Sequence, residues 1–179
     1  VERNRSGMSE AVSKKDKFIA NLMQHPKADL SSAHQAVREE ALQALTRLEF
    51  PTLRDEYWKY TRVASILKGN YSLQETKLDQ LPEGIRIPWA TVNLMVFVNG
   101  FYQPHLSEIR DEEGIEIMTT DQARIEHYDV IDTHFGKYAK HASEIFTALN
   151  TAFNHTGAFI HVGKNAQLKH PVHLVDITT

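Results

Sequence analysis

Histidine is the residue of this chain best equipped for chemistry, and there are ten of them. His161, His170 and His173 gather near the C-terminal end, with His155 close by. Neutral imidazole is the commonest protein metal ligand, and histidines on adjacent strands can build the site of a metal-dependent enzyme of the β-barrel type. Two features argue against it. His170 and His173 are three apart, so one extended strand would point them to opposite sides. Asp176 is the only carboxylate in that turn–strand unit, a thin donor set for a metal. The preferred reading is polar histidines at or near the surface. A second candidate is Tyr57-Trp58-Lys59-Tyr60, whose rings could stack on a base or ring ligand. Asp55 and Glu56 beside it repel phosphate, and packing of a helical cap is the plainer expectation. Asp111-Glu112-Glu113 precedes Gly114 and reads as a solvated, charged loop. No G-x-x-x-x-G-K-[ST], G-x-G-x-x-G or G-x-S-x-G is present, so neither a phosphate cradle nor a nucleophile elbow has local support. Cysteine is absent, which removes disulfides, thiol nucleophiles and thiolate ligands. No catalytic, cofactor-binding or metal residue is assigned, and a non-enzyme is expected.

The bulk properties agree. The 179 residues are 41% hydrophobic and 24% charged, with a formal net charge of −3, a globular composition. That charge and the lack of a basic block argue against nucleic-acid binding. No apolar run approaches the roughly 18 residues needed to span a bilayer. Val1 to Lys17 lacks the apolar centre of a signal peptide, so a cytoplasmic protein is expected. Residues 1–7 read as an appended tail and Met8 as the natural start.

Helices dominate the first third. Phe18, Ile19, Leu22 and Met23 form one stripe that Pro26 ends. Ser31 or Ser32 caps a second helix whose stripe runs Leu30, Ala33, Val37, Ala41, Ala44, Leu45, Leu48. Thr61 is expected to cap one more, containing Val63, Ala64, Ile66 and Leu67, with Gly69 at C′. Residues 70–90, with Pro82, Gly84 and Pro88, read as a linker. The expected domains are thus residues 8–90, helical with a linker, and residues 91–179, mixed strand and helix. In the latter, Thr91–Val98 is a strand and Asn99-Gly100 a type I′ turn. Phe101–Gln103 returns as a partner that Pro104 confines to an edge. Gly114–Met118 is a further strand, and Thr119 or Thr120 caps a helical turn. A helix runs over 142–153 with Ser143 as N-cap, then strands at Ala158–Val162 and Val172–Ile177. The chain stops at Thr179 beside an unpaired strand, which reads as truncation.

Three segments in order resemble the SufB/SufD family of iron–sulfur cluster assembly proteins, on its SufD side. The first is Phe50-Pro51-Thr52-Leu53-Arg54-Asp55-Glu56-Tyr57-Trp58-Lys59-Tyr60-Thr61, carrying E-x-W-K-Y-T. The second is Val96-Phe97-Val98-Asn99-Gly100, followed by Leu106-Ser107. The third is Phe146-Thr147-Ala148-Leu149-Asn150-Thr151-Ala152-Phe153, then Gly157, Ile160, Val162 and His170-Pro171-Val172-His173-Leu174. The resemblance implies an α+β chain: an N-terminal helical domain followed by the first rungs of a right-handed parallel β-helix, a single-stranded β-solenoid. The separation of about 13 to 14 residues between Ile160 and His173-Leu174 suits such rungs. It also implies a non-enzymatic scaffold subunit of a SufBCD-type complex, with a SufB-like scaffold and a SufC-like ABC ATPase as partners. The iron–sulfur cluster would be handled by the full complex, with no cofactor in this fragment. Cluster and ATPase residues lie C-terminal to the matched segments, so none is carried over. The few rungs present should be marginal or should pair with another copy, a homodimer. The rival readings are the metal enzyme built on His161, His170 and His173, and a carbohydrate- or peptide-binding solenoid, for which Phe159 is the one aromatic in the strands after Gly157.

Overall fold

The run Asn-Leu-Met-Val-Phe-Val forms β1 (Asn93–Val98), and all six residues are buried. A nearly continuous apolar run reads as a strand covered on both faces, and β1 is the central strand of a three-stranded sheet, between residues 101–102 and 172–177. The computed structural model describes residues 13–24, 32–72 and 74–179. The tail and start at residues 1–8, Pro26, Leu30 and the capping candidate Ser31 lie outside them.

Asn99 and Gly100 both adopt positive φ, 50° and 81°, the type I′ requirement. The turn returns the chain as β2 (Phe101–Tyr102), antiparallel to β1. β2 stops one residue short of the expected strand because Pro104 opens a 3₁₀ turn, Pro104–Leu106. Leu106 then enters the core cluster with Leu94, Val96 and Val175. The Ser107 hydroxyl accepts the Val96 N–H at 3.0 Å and donates to the Gln103 carbonyl at 2.8 Å. The Leu-Ser pair noted in the sequence thus pins the chain after the hairpin to β1.

On its other edge β1 pairs in parallel with β5 (Val172–Ile177), from Asn93↔Val172 to Val98↔Ile177. A second, two-stranded sheet joins β3 (Ile115–Thr119) and β4 (Ala158–Val162) antiparallel. The two strands expected as successive rungs therefore take different partners, β4 with β3 and β5 with β1. The stretch 74–92 carries no helix or strand, yet Leu78, Leu81, Ile85 and Val92 pack against the core cluster.

Among helices of this part, α2 (Ser32–Arg47) packs along α5 (Ile145–Ala152). Ala41, Ala44 and Leu45 on one side and Ile145, Ala148 and Ala152 on the other are buried. The cap of α5 differs from the expected Ser143. Glu144 is the N-cap, its carboxylate accepting the Thr147 N–H at 2.6 Å and the Thr147 hydroxyl at 2.8 Å. A carboxylate satisfies the orphan donors and complements the helix dipole together. Thr119 caps α3 (Thr120–Glu126) in a reciprocal capping box with Gln122. A short α4 (Tyr128–His134) follows, which the sequence reading did not separate.

These elements form one of two compact units, residues 27–48 with 73–179; the other comprises residues 1–26 with 49–72. In the latter, α1 (Lys14–Leu22) is capped by Ser13 and buries Phe18, which meets Phe50 and Tyr71 edge-on at 5.9 and 5.7 Å. The helix expected after Thr61 shrinks to a 3₁₀ turn, Ile66–Lys68. Gly69 has φ −74°, not the left-handed value expected at C′. Glycine leaves room there: an added Cβ would lie 2.6 Å from the end of the Tyr71 ring, which would have to shift.

Candidate functional site

The three histidines singled out in the sequence have separate surroundings. His161 stands directly opposite Glu116 in the β3–β4 ladder, its Nδ1 2.8 Å from Glu116 Oε2. Directly opposed residues share a sheet face, so β alternation places this pair. The other Glu116 oxygen lies 3.1 Å from His127 Nε2, contributed by the end of α3. Phe159, two residues from His161 on β4, stacks on the His127 ring with centroids 5.2 Å apart. One carboxylate thus bridges two imidazoles over an aromatic floor. Each imidazole faces a different carboxylate oxygen.

His170 belongs to a different group, centred on Glu112. Glu112 accepts from Asn93 Nδ2 at 3.0 Å, from the Lys169 N–H at 2.7 Å and pairs with His170 Nδ1 at 3.0 Å. The Asn93 amide and the Lys169 N–H hold its carboxyl down at about 2, with His170 adding to them. The solvated loop expected for Asp111-Glu112-Glu113 is corrected here: Asp111 and Glu113 are exposed, but Glu112 is buried. Asn93, itself fully buried, completes the clamp by accepting the Arg110 N–H at 2.8 Å and donating to the His170 carbonyl at 3.2 Å. The result ties the start of β1, the chain at 110–112 and the turn before β5 together. It is a positioning device, in which the Glu112 carboxylate and the Asn93 amide use their hydrogen bonds for structure.

His173 sits on β5 opposite Leu94, away from both groups, with its Nδ1 shielded and without a hydrogen bond. His155 packs its ring 5.1 Å from Phe101. Among the described residues no three His, Asp or Glu side chains are placed to hold a metal ion. Sequence reasoning missed Glu116 and His127, because only the antiparallel register and the end of α3 bring them to His161.

A third feature is the aromatic block. The sequence reading expects its rings to be packed, but Tyr57 is 98% exposed and Tyr60 90%. A 3₁₀ turn, Glu56–Trp58, sets the two tyrosines outward while Trp58 is half-buried. Asp55 braces this turn from below, its carboxylate accepting the Thr52 N–H at 2.7 Å and hydroxyl at 3.0 Å. Lys59 pairs with Glu56 at 2.8 Å and lies 5.2 Å from the Tyr60 ring centre. Rings held outward on a braced turn suit contact with another protein more than chemistry on a small substrate. No helix among the described residues is long and apolar enough to cross a membrane.

A family model for the N-terminal region of SufBD proteins matches residues 17–174. The chain is 28% identical over 144 residues to an iron–sulfur cluster assembly SufBD family protein of Synechocystis sp., covering 79% of this chain and 32% of that one. It is 31% identical over 84 residues to the iron–sulfur cluster assembly protein SufD of Escherichia coli, covering 46% of this chain and 20% of that one. The chain spans about a third or less of the length of these curated relatives.

Proposed function

Because this chain belongs to the SufBD family, we propose that it is an iron–sulfur cluster assembly factor, a SufD-like subunit acting through protein contacts rather than by catalysis. Its partners are a SufB-like scaffold and a SufC-like ABC ATPase, its place the cytoplasm, and the cluster is cargo of the whole complex. The observation that carries this reading is the continuous family match over residues 17–174, which takes in all three sequence segments. The similarity to SufD of Escherichia coli favours the SufD side.

The same proposal includes the start of a parallel β-helix at the end of the chain. β5 already runs parallel to β1, and among the described strands it pairs with no other. Leu174 on β5 is 50% exposed, and Ile160 and Val162 on β4 are 41% and 46% exposed. Apolar strand residues left at an open edge favour a following rung that covers them.

An anaerobic pull-down tests the role. Tagged protein expressed from its own gene should retain both a SufC-like ATPase and a SufB-like scaffold, identified by mass spectrometry. Recovery of neither, under conditions where the two retain each other, would sink the proposal.

A further inference from the structure

Beyond the family reading, and independent of it, a cleft of about 180 Å³ lies where residues 86–92 run over the start of β1. Its walls carry Arg86, Thr91, Glu108, Arg110 and His173 around the apolar floor of Leu94. The sheet explains this convergence. Leu94 bridges Glu108 on one side, with reciprocal backbone hydrogen bonds of 2.8 Å, and pairs with His173 on the other. Residues opposed in a ladder point to one face, so Glu108, Leu94 and His173 share it. The period of two puts Arg110 and Val92 on that face too.

The charges there do not cancel. Among the described residues lining it Glu108 is the one carboxylate, and it pairs with both Arg86 at 3.5 Å and Arg110 at 2.5 Å. Two guanidinium groups against one carboxylate leave a positive charge, with the imidazole of His173 beside it. Two nitrogens are also unused: Arg110 Nε and His173 Nδ1 are shielded from solvent and make no hydrogen bond. Arg110 Nε always carries a proton, and a shielded N–H without an acceptor is costly; guanidinium groups meet oxyanions with paired, charge-assisted hydrogen bonds. The cleft has space for one tetrahedral or planar oxyanion and some solvent.

We propose that the cleft between Arg86, Arg110 and His173 binds a small oxyanion, either a phosphate group or a carboxylate. Arg110 Nε donates to it, Arg86 balances its charge, and the His173 ring closes the opposite wall. Glu108 keeps both arginines in place and limits the site to ligands that tolerate one neighbouring carboxylate.

The test is a titration of the ¹⁵N-labelled chain with inorganic phosphate and, separately, with acetate, each at constant ionic strength. Saturable shifts are expected at the amides of 86–94, 108–110 and 173, with millimolar affinity. Arg86→Gln should weaken binding at least fivefold. Its side chain is 59% exposed, so the fold is expected to persist, as the unchanged remainder of the spectrum would show. Lys164→Gln, outside the cleft, should leave the affinity as it was. Tighter phosphate binding would identify a phosphate group as the ligand, and tighter acetate binding a carboxylate. Shifts that fail to saturate with both anions, or that survive Arg86→Gln unchanged, would overturn the proposal.

Discussion

The side-chain amide of Asn93, at the first position of β1, donates to the buried Glu112 carboxylate across 3.0 Å. The two residues lie 19 apart in the chain, and through them the entry of β1 is tied to the turn that leads into β5. Asn93→Ala removes the acceptor of the Arg110 N–H and one donor to Glu112, and leaves a small void. A loss of about 2 kcal/mol is expected in chemical denaturation, while Asp111→Ala, next door and exposed, should leave stability within about 0.5 kcal/mol.

Glu112 predicts an acid dependence. Its folded pKa, about 2, lies below the ordinary 4.5. Stability from its ionised form is therefore fully present above 4.5 and is lost as pH falls from there toward 2. Glu112→Gln should be less stable than the parent at neutral pH, and the gap should narrow through that window. Thermal unfolding of both proteins along a pH series measures it; a gap that stays constant with pH would refute the assignment.

His34 on α2 is 1% exposed and meets the Phe135 ring edge-on at 4.5 Å. Burial lowers its pKa below 6.5; Arg124 lowers it further, while Asp132 and the hydrogen bond to Ile131 oppose. The buried ring is held neutral, so stability falls as pH drops below 6.5 and the unfolded chain takes up the proton. His34→Phe keeps a ring against Phe135 but cannot charge. Its unfolding free energy should fall less steeply than the parent's on acidification below 6.5, and an identical slope would count against this account.

Gly136 sits at φ +72°, and a Cβ there would run into Val37 Cγ1 on α2. Gly136→Ala combines backbone strain of about 1–2 kcal/mol with a clash, for a cost of about 3 kcal/mol in all. In a Val37→Ala background the same change should cost only about 1–2 kcal/mol, chiefly the strain. Gly84, at φ +84° with open space around it, should show only the strain in any background.

The outward tyrosines supply a plain check on the aromatic block. Tyr57→Ser and Tyr60→Ser, singly or together, should shift unfolding by no more than about 0.5 kcal/mol. A Tm drop of many degrees would mean that these rings are packed in solution, as the sequence alone suggested.

Local signals were readable wherever the cause is local. Asn99-Gly100 specifies its turn because both positions need positive φ, and the run after it ends where Pro104 removes an N–H. The stripe of α2 and a threonine cap on α3, at Thr119 or Thr120, follow from a period of 3.6 and from a side chain that reaches the first-turn donors; the reciprocal box with Gln122 came from the structure. Even the family could be recognised, since ordered motifs survive in one dimension. Other features were out of reach of any short window. Whether Ser143 or Glu144 caps α5 is a matter of one residue's geometry. The outward turn of Tyr57 and Tyr60 depends on the brace that Asp55 makes with Thr52. The partnering of β5 with β1 is set by core packing across some 80 residues of chain, and that Asn93 serves Glu112, 19 residues on, follows from the same packing. Residue types and periods are properties of the string, so composition, motifs and most elements follow from it. Which carboxylate meets which imidazole, and which arginines share Glu108, is settled only when β-ladder register and helix packing bring distant residues onto one face.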